Sequence, residues 1–231
     1  MTVESRDASN HYDAQYFDWQ RSIGAFGGKV GRSVYQAYVR PTDRVVDFGC
    51  GGGFLLRELR CAERRGVEIN PSAREEAHRS GTACVASAEE LPDAWADVVI
   101  SNSALEHVEY PLGELRTLVR KVRPGGMMVF SVPHETLSAS YSTDDINQHL
   151  HTWSPRTLGN LFALAGMSVE RVYSIRKMWP PKYQAVYRLL GESGFLVACS
   201  VYRWIRMALW PLKPVDSHAM VTVVARRPGN A

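Results

Sequence analysis

The feature that most constrains the fold is a glycine-rich loop, with four glycines in five positions, that follows a short run of β-branched residues. The run Arg44–Phe48 predicts a buried strand, the segment 49–53 a tight loop, and Phe54–Cys61 a helix. Glycines in such a loop adopt positive φ angles and let a ligand approach the backbone closely. A strand, a glycine loop and a helix in this order therefore predict a nucleotide-binding α/β domain.

Strands and helices alternate through the rest of the chain. The further predicted strands are Arg65–Ile69, Ala83–Ala86, Asp97–Ser101, Met127–Val132, Ser168–Tyr173 and Met220–Ala225. The further predicted helices are Ser72–Ser80, Leu112–Val122 ended by Pro124-Gly125-Gly126, and Arg156–Ala165 between Ser154 and Gly166. This alternation predicts a mostly parallel sheet with helices on both faces. A chain of 231 residues, 45% of them hydrophobic, suits one such domain.

Composition argues against several classes of protein. The net charge of +3 is too small to indicate a nucleic-acid partner. No two of the four cysteines form a CxxC pair, so we expect neither a zinc knuckle nor a disulfide framework, and a reduced cytoplasm is the simplest location. We expect no signal peptide in the polar first ten residues, and no run of about 18 apolar residues predicts a spanning helix.

The loop fails the tests for two common nucleotide sites. A dinucleotide fingerprint, GxGxxG, needs a third glycine where Phe54 or Leu56 stands. A phosphate-binding P-loop is also missing, because the only Gly-Lys pair, Gly28-Lys29, lacks both the first glycine and the following Ser or Thr. Asp47 before the loop disfavours a pyrophosphate and favours a cationic ligand, such as the ammonium and sulfonium of S-adenosylmethionine. Glu68, about 20 residues further on, is placed to bind ribose hydroxyls.

Four segments together resemble the motifs of class I S-adenosylmethionine-dependent methyltransferases. They are VVDFGCGGG, GVEINPSA, ASAEELPDAWADVVISNSALEHV and LRTLVRKVRPGGMMVFSVP, in this order, and the resemblance covers residues 43–175. It implies a Rossmann-like, mostly parallel sheet of seven strands in the order 3-2-1-4-5-7-6, with strand 7 antiparallel and helices on both faces.

The resemblance also implies the contacts of the cofactor. Asp47, Gly49, Cys50 and Gly51 are expected around its methionine part, Glu68 on the ribose, Ile69 against the adenine, Ala88 and Glu89 at the adenine edge, and Asn102 just past the fourth strand. The sequence departs from the family at Ser87, where relatives often have Asp, so adenine recognition is expected to rest on backbone groups and Glu89.

Candidate catalytic residues follow the fourth and fifth strands, at the edge where parallel sheets bind ligands. His107 is the first candidate for a general base, with a core or helix-capping role as the alternative. It ends a segment similar to an ExxEH pattern that binds a divalent metal in some relatives. Ser103 replaces the first glutamate, so we expect no metal. The loop after the fifth strand adds His134, Glu135, Tyr141, Asp144, Asp145, His149 and His151. We expect at least one of its three histidines to contact the acceptor.

Two segments lie outside the motifs. Tyr12, Tyr16 and Trp19 have helical spacing, and residues 1–40 are expected to form a helical lid in which Tyr16 contacts the cofactor, or a surface helix. The rest of the chain, 41–231, is expected to form the methyltransferase domain that the resemblance implies. Residues 176–213 form an insertion with seven basic residues and one acidic residue, a net charge of +6. Helices at about 182–190 and 194–209 are predicted there, within an insertion spanning 176–215.

The function of the insertion stays open among a cap on an apolar substrate pocket, a homodimer contact, peripheral contact with an anionic membrane, and a purely structural extension. For the chain as a whole, the leading hypothesis is methylation of a small-molecule acceptor at oxygen or nitrogen, with an apolar or lipid-linked acceptor as one option. The alternative is a binding or regulatory protein that keeps the cofactor site without catalysis; a nicotinamide dehydrogenase is disfavoured by Phe54.

Overall fold

A mixed β-sheet organises the molecule. The computed structural model describes residues 14–135, 141–142, 145, 147–176, 179–208 and 219–229. Within these residues seven strands form one sheet in the order β3-β2-β1-β4-β5-β7-β6. Their bounds are β1 Arg44–Phe48, β2 Glu63–Val67, β3 Ala83–Val85, β4 Ala96–Asn102, β5 Val122–His134, β6 Ser168–Arg176 and β7 Ala219–Arg226. Strand β7 is antiparallel to β5 and β6, and the other pairs are parallel. The predicted order and the antiparallel seventh strand are confirmed.

Helices cover both faces of this sheet. In chain order they are α1 Ala14–Tyr35, α2 Phe54–Glu58, α3 Pro71–Arg79, α4 Pro111–Lys121, α5 Pro155–Leu164 and α6 Tyr183–Ala208. Successive residues of a strand point to opposite faces. Phe130 of β5 accordingly packs in the core cluster that contains residues of α4 and α5, while its neighbour Val129 packs in the cluster that contains residues of α1, α2 and α3.

Helix starts follow the side chains that cap them. The Asn70 side chain accepts hydrogen bonds from the amides of Ser72 and Ala73 at the start of α3. Ser154 and Thr157 form a reciprocal capping box at the start of α5, where Pro155 is the first helical residue, as the sequence indicates. These caps fix where α3 and α5 begin, and therefore how the chain leaves β2 and enters β6.

Some predicted boundaries are wrong, for local reasons. Strand β2 ends at Val67, two residues earlier than predicted, and Glu68 leaves the strand to bind backbone amides with its carboxylate. Strand β5 starts at Val122 rather than after the Pro-Gly-Gly segment, because Val122 pairs with Ala96 of β4 and the following Gly125 and Gly126 bond to the backbone of Arg227. The sequence predicts a turn that ends the helix at this segment, whereas in the structure the segment is the irregular first part of β5.

The insertion after β6 is helical, as predicted. The sequence predicts two helices, and the span α6 indeed consists of two helical segments joined at Gly191, whose φ of 65° and ψ of −175° are not helical. Arg176 of β6 and His134 of β5 both pair with Ala219 of β7, so the insertion leaves and rejoins the sheet at the edge where β5 ends. Among the described residues, no helix combines the length and the apolar character needed to cross a membrane.

Candidate functional site

The glycine loop between β1 and α2 lies at the carboxyl edge of the sheet. Backbone amides of Gly49 and Cys50 donate to the Val67 carbonyl at 2.8 and 3.1 Å, which ties the loop to the end of β2. Gly49 has a φ of +73°, and a Cβ at this position would lie 2.3 Å from the Cβ of Ala104. Glycine is required here because it adopts this positive φ readily and has no Cβ that would collide with Ala104. The loop therefore packs directly against the chain that follows β4.

Asp47 is a buried carboxylate beside this loop. Its residue is 3% exposed, and no hydrogen bond or ion pair engages its carboxylate within the described residues. Burial raises the pKa of Asp47 well above its ordinary value, and the neighbouring Glu68 carboxylate raises the pKa further. A buried anion without a counter-ion is costly. A ligand that brings positive charge removes this cost, so Asp47 fits the ammonium and sulfonium of the expected cofactor.

Glu68 is held by the same loop that it borders. One carboxylate oxygen accepts from the Gly51 amide at 2.8 Å and the other from the Asn70 amide at 2.9 Å. Burial raises the pKa of Glu68, and the bonds from the Asn70 and Gly51 amides oppose that rise. Each carboxylate oxygen has more than one lone-pair direction, so the amides leave acceptor capacity for ribose hydroxyls. The expected ribose role of Glu68 remains a prediction, and its position and orientation are consistent with it.

Residues expected around the adenine divide into two groups. Ile69 is 55% exposed beside Glu68, which leaves an apolar side chain available to a ring, and Ala88 is fully buried in a turn capped by Ser87. The Glu89 carboxylate instead binds Arg120 at 2.7 and 2.8 Å and Thr117 at 3.0 Å, on helix α4. Bonds from Arg120 and then Thr117 lower the pKa of Glu89. The predicted role of Glu89 at the adenine edge remains a prediction, and a cofactor would meet a carboxylate already bound to α4.

Asn102, the last residue of β4, has a partner that the sequence did not indicate. The hydroxyl of Tyr35, at the end of α1, donates to the Ser101 carbonyl at 2.8 Å and lies 3.3 Å from Asn102 Oδ1. Tyr35 is 1% exposed, and burial raises its pKa. The N-terminal helix is thereby fixed to the ligand edge of the sheet. Tyr35 lies outside the aromatic residues at 12, 16 and 19, so their spacing did not point to it.

A cluster of histidines and glutamates forms the other part of the site. Ser103, just past β4, has a φ of +57°, and the following turn, Leu105–His107, carries Glu106 and His107. Glu106 is fully buried, and its Oε1 lies 3.9 Å from Nε2 of His107 and 4.0 Å from Nε2 of His149. The two imidazoles have centroids 4.9 Å apart. The structure thus brings together His107 and His149, which are 42 positions apart in the chain.

Backbone hydrogen bonds hold the loop after β5 in place and thereby position His149. Amides of Leu150 and His151 donate to the Glu106 carbonyl at 2.9 and 3.1 Å. Nδ1 of His149 donates to Glu135 Oε1 at 2.5 Å, which orients the ring and leaves Nε2 facing Glu106. Glu106 was absent from the predicted site residues, although it precedes His107 directly. The sequence feature that could have identified Glu106 is its place as the glutamate directly before the histidine in the ExxEH-like segment.

The other two predicted histidines occupy a neighbouring position. Nδ1 of His134 donates to the Trp153 carbonyl at 2.8 Å, and the ring of His151 stacks on that of Trp153 with centroids 5.4 Å apart. Within the described residues, the buried Nε2 of His151 and Nε1 of Trp153 have no hydrogen-bond partner. Trp153 therefore links His134 to His151, and the His151 amide, which donates to the Glu106 carbonyl, connects the pair to the Glu106 cluster. Their predicted catalytic roles remain untested.

One group in the described part of the chain has the composition of a cation site. It consists of Glu106, His107 and His149, whose ligand atoms lie within 4.8 Å of one another. Ligands of a tetrahedral site at about 2.0–2.2 Å from a metal lie roughly 3.3–3.6 Å apart. The observed nitrogen–oxygen distances of 3.9 and 4.0 Å are wider, so the side chains would have to close on an ion. The sequence had led us to expect no metal because Ser103 lacks a carboxylate, and did not reveal that His149 joins the group.

Some predicted residues cannot be placed in the site. Tyr12 and Asp144 lie outside the described residues. Tyr16 and Trp19 belong to helix α1, and only their backbone is described. Tyr141 is exposed, and Asp145 accepts a hydrogen bond from the Asn147 amide. The proposed lid therefore remains a prediction.

The sequence is similar to those of known methyltransferases. The family described as a methyltransferase domain matches residues 22–172. The ubiquinone biosynthesis O-methyltransferase of Pseudomonas savastanoi pv. phaseolicola is 37% identical over 176 residues, covering 65% of this chain and 74% of that protein. The protein of the same name from Pseudomonas putida is 29% identical over 157 residues, covering 57% of this chain and 67% of that protein.

Solved structures share the fold at low identity. A putative methyltransferase of Haloferax volcanii, solved in complex with the Trm112 methyltransferase activator, superposes with a TM-score of 0.68 at 20% identity, covering 97% of this chain and all of that one. Phosphoethanolamine N-methyltransferase 2 of Haemonchus contortus, solved with S-adenosylmethionine, gives 0.58 at 17% identity, covering 85% of this chain and 51% of that one. Both agree with the sheet described above.

Proposed function

Because the chain belongs to the family of methyltransferase domains, we propose that it transfers a methyl group from S-adenosylmethionine to a hydroxyl oxygen of a small apolar acceptor. The protein is an S-adenosylmethionine-dependent methyltransferase, and the proposal concerns the acceptor and the residues that act on it. One observation carries it: two imidazoles, His107 and His149, converge on the buried carboxylate of Glu106 at the ligand edge of the sheet. The curated relatives, which are named O-methyltransferases, support an oxygen acceptor.

A hydroxyl acceptor needs to lose its proton as it is methylated, and histidine is the common base for this step. We assign that proton to Nε2 of His107. Glu106, buried within 3.9 Å of this atom, stabilises the positive charge that the imidazole gains. His149, oriented by Glu135, borders the same carboxylate and limits the movement of the His107 ring.

The cofactor side of the site supplies alignment. When bound, S-adenosylmethionine supplies an electrophilic methyl group on a positively charged sulfur. Asp47 offers that cation a buried counter-charge, and Glu68 offers the ribose hydroxyls an oriented acceptor. Ala104 packs on Gly49 and is followed closely by His107, so the loop that binds cofactor and the turn that carries the base form one contiguous surface.

The test is a panel of acceptors. The purified protein is incubated with S-adenosylmethionine, and S-adenosylhomocysteine is measured with phenols, catechols and amines, each with and without an apolar tail. We expect methylation of phenolic or catecholic hydroxyls, higher with the tail. Methylation of amines alone would overturn the oxygen assignment. Cofactor binding without turnover on any acceptor would favour the alternative of a non-catalytic, cofactor-binding protein.

Adding a chelator to the same assay tests whether methyl transfer depends on a cation held by Glu106, His107 and His149. Since Ser103 replaces the first carboxylate of the ExxEH-like segment, we expect turnover to survive treatment with EDTA. Loss of turnover, with recovery on adding a divalent cation, would assign Glu106, His107 and His149 as ligands instead of a proton-transfer group.

A further inference from the structure

Helix α6 presents an apolar stripe that nothing in the described residues covers. Val197, Val201, Trp204 and Ile205 follow an i, i+4, i+7, i+8 pattern, which places them on one face of the helix. Val197 is 63% exposed and Trp204 is 71% exposed, and the other two are also exposed. Four neighbouring apolar side chains on one helix face differ from the scattered exposed apolar residues that are normal on a protein surface.

The opposite face of the same helix is anchored. Phe195 is fully buried, with its ring 5.2 Å from Phe26 of α1 and 5.5 Å from Tyr187. Phe26 also contacts the rings of Trp179 and Tyr183, each at a centroid distance of 4.9 Å. This aromatic cluster fixes the rotation of the helix about its axis. The stripe is therefore held outward by packing.

Charge distinguishes between the possible occupants of the stripe. Residues 176–213 carry a net charge of +6, while the whole chain carries +3, so the other residues together carry −3. Two copies meeting stripe to stripe would bring two strongly cationic segments together, and like charges oppose that contact. An anionic lipid surface attracts the same segment, and its interfacial region accepts the apolar stripe with its tryptophan.

We propose that α6 binds the surface of an anionic lipid bilayer, with Val197, Val201, Trp204 and Ile205 entering the interface. The insertion leaves and rejoins the sheet beside His134, so α6 is connected to the edge of the sheet that carries the histidine cluster. This inference is independent of the acceptor chemistry, since membrane binding is measured without cofactor or acceptor.

The test is flotation of the full-length protein with lipid vesicles. We expect the protein to float with vesicles containing phosphatidylglycerol and to stay in solution with pure phosphatidylcholine. Binding should fall as ionic strength rises from about 0.05 to about 0.5 M, because the Debye length shortens. The Val197→Asp/Trp204→Asp variant should lose about 10-fold or more in partitioning. Arg188→Glu, which reverses an exposed positive charge on α6, should bind more weakly than the wild type.

A matched control is Leu164→Asp, which alters an apolar residue on α5 with the same 63% exposure as Val197. It should bind vesicles like the wild type. Circular dichroism verifies that every variant is folded, and the exposed positions make this the expected result. Equal binding to neutral and anionic vesicles, unchanged binding of the stripe variant, or no binding at all would overturn the proposal. Sedimentation as a dimer that the stripe variant dissociates would overturn it in favour of a second copy of the chain.

Discussion

Two parts of the site are built by different means. The proposed cofactor part, formed by Asp47, the glycine loop and Glu68, depends largely on backbone groups, because the Glu68 carboxylate binds the amides of Gly51 and Asn70. The proposed acceptor part, formed by Glu106, His107, Glu135 and His149, depends on side chains that two separate loops bring together. A nearly continuous stretch of sequence therefore encodes the first part, whereas the second depends on how distant loops meet.

The comparison predicts separable functions. Changes in the acceptor part should alter the rate of methyl transfer and leave cofactor binding intact, whereas changes in the cofactor part should alter affinity first. A variant that affects both equally would indicate that the two parts are one structural unit.

The largest effect is expected for His107→Ala. Removing the base should lower kcat by about 100-fold or more, the range typical of general-base catalysis. Affinity for S-adenosylmethionine, measured by isothermal titration calorimetry, should change by less than about threefold, which is about 0.65 kcal/mol. His149→Ala, which leaves His107 in place, should reduce kcat less. A wild-type rate in His107→Ala would remove this residue as the base.

The next effect is expected for Glu68→Ala. Hydrogen bonds to a charged group contribute about 1.5–3 kcal/mol, so loss of the ribose acceptor should weaken cofactor binding by roughly 10- to 100-fold. The amides of Gly51 and Asn70 also lose their acceptor. The melting temperature of the cofactor-free variant, compared with that of the wild type, shows whether this loss destabilises the protein. Unchanged affinity in a folded variant would exclude the ribose role.

A smaller and pH-dependent effect is expected for Asp47→Asn. Since burial raises the pKa of Asp47 in the empty protein, binding of a cationic ligand to the ionised form releases a proton. Affinity should therefore rise with pH through the raised pKa and level off above it. Asp47 ionises at a lower pH in the unfolded state than in the folded state. The free energy of unfolding therefore falls as pH rises from the ordinary pKa of an aspartate to the raised pKa of Asp47.

The Asp47→Asn variant should lose this pH dependence. It should bind the cofactor about 10-fold more weakly at neutral pH, while its empty form gains on the order of 1 kcal/mol of unfolding free energy. Calorimetry in buffers of different ionisation enthalpy measures the proton release directly. The same release in wild type and variant would assign the titration to another group.

The smallest effect is expected for Glu89→Ala. Its carboxylate is bound to Arg120 and Thr117, so cofactor affinity should stay within about twofold of the wild type. This variant is the matched control for Glu68→Ala, because both remove a glutamate that the family resemblance assigns to the cofactor. A loss as large as that of Glu68→Ala would restore Glu89 to the adenine edge.

The fold was predictable because its signals are local. Alternating strands and helices give the layers, and the glycine loop with Asp47 and Glu68 gives the cofactor edge, since residue types there follow directly from backbone requirements. The boundary errors at Val67 and Val122 arose where tertiary hydrogen bonds, from Glu68 and from Arg227, override local preference.

The acceptor part was only partly predictable. Each histidine was identified from its place after a strand, but the sequence could not indicate that His149 rather than His134 reaches Glu106. That choice depends on the Leu150 and His151 amides docking on the Glu106 carbonyl, a contact between distant segments. Tyr35 was missed for the same reason, because its partners at the end of β4 lie more than 60 positions away.

The burial of Asp47 also bears on how a catalytic cycle ends. Methyl transfer removes the positive charge from sulfur, so the spent cofactor offers this carboxylate one cation fewer than the fresh one does. If Asp47 pairs with the donor's positive charge as proposed, it holds the product less firmly, and the same side chain favours exchange of spent for fresh cofactor. Removing this charge should then make the protein more sensitive to inhibition by the product.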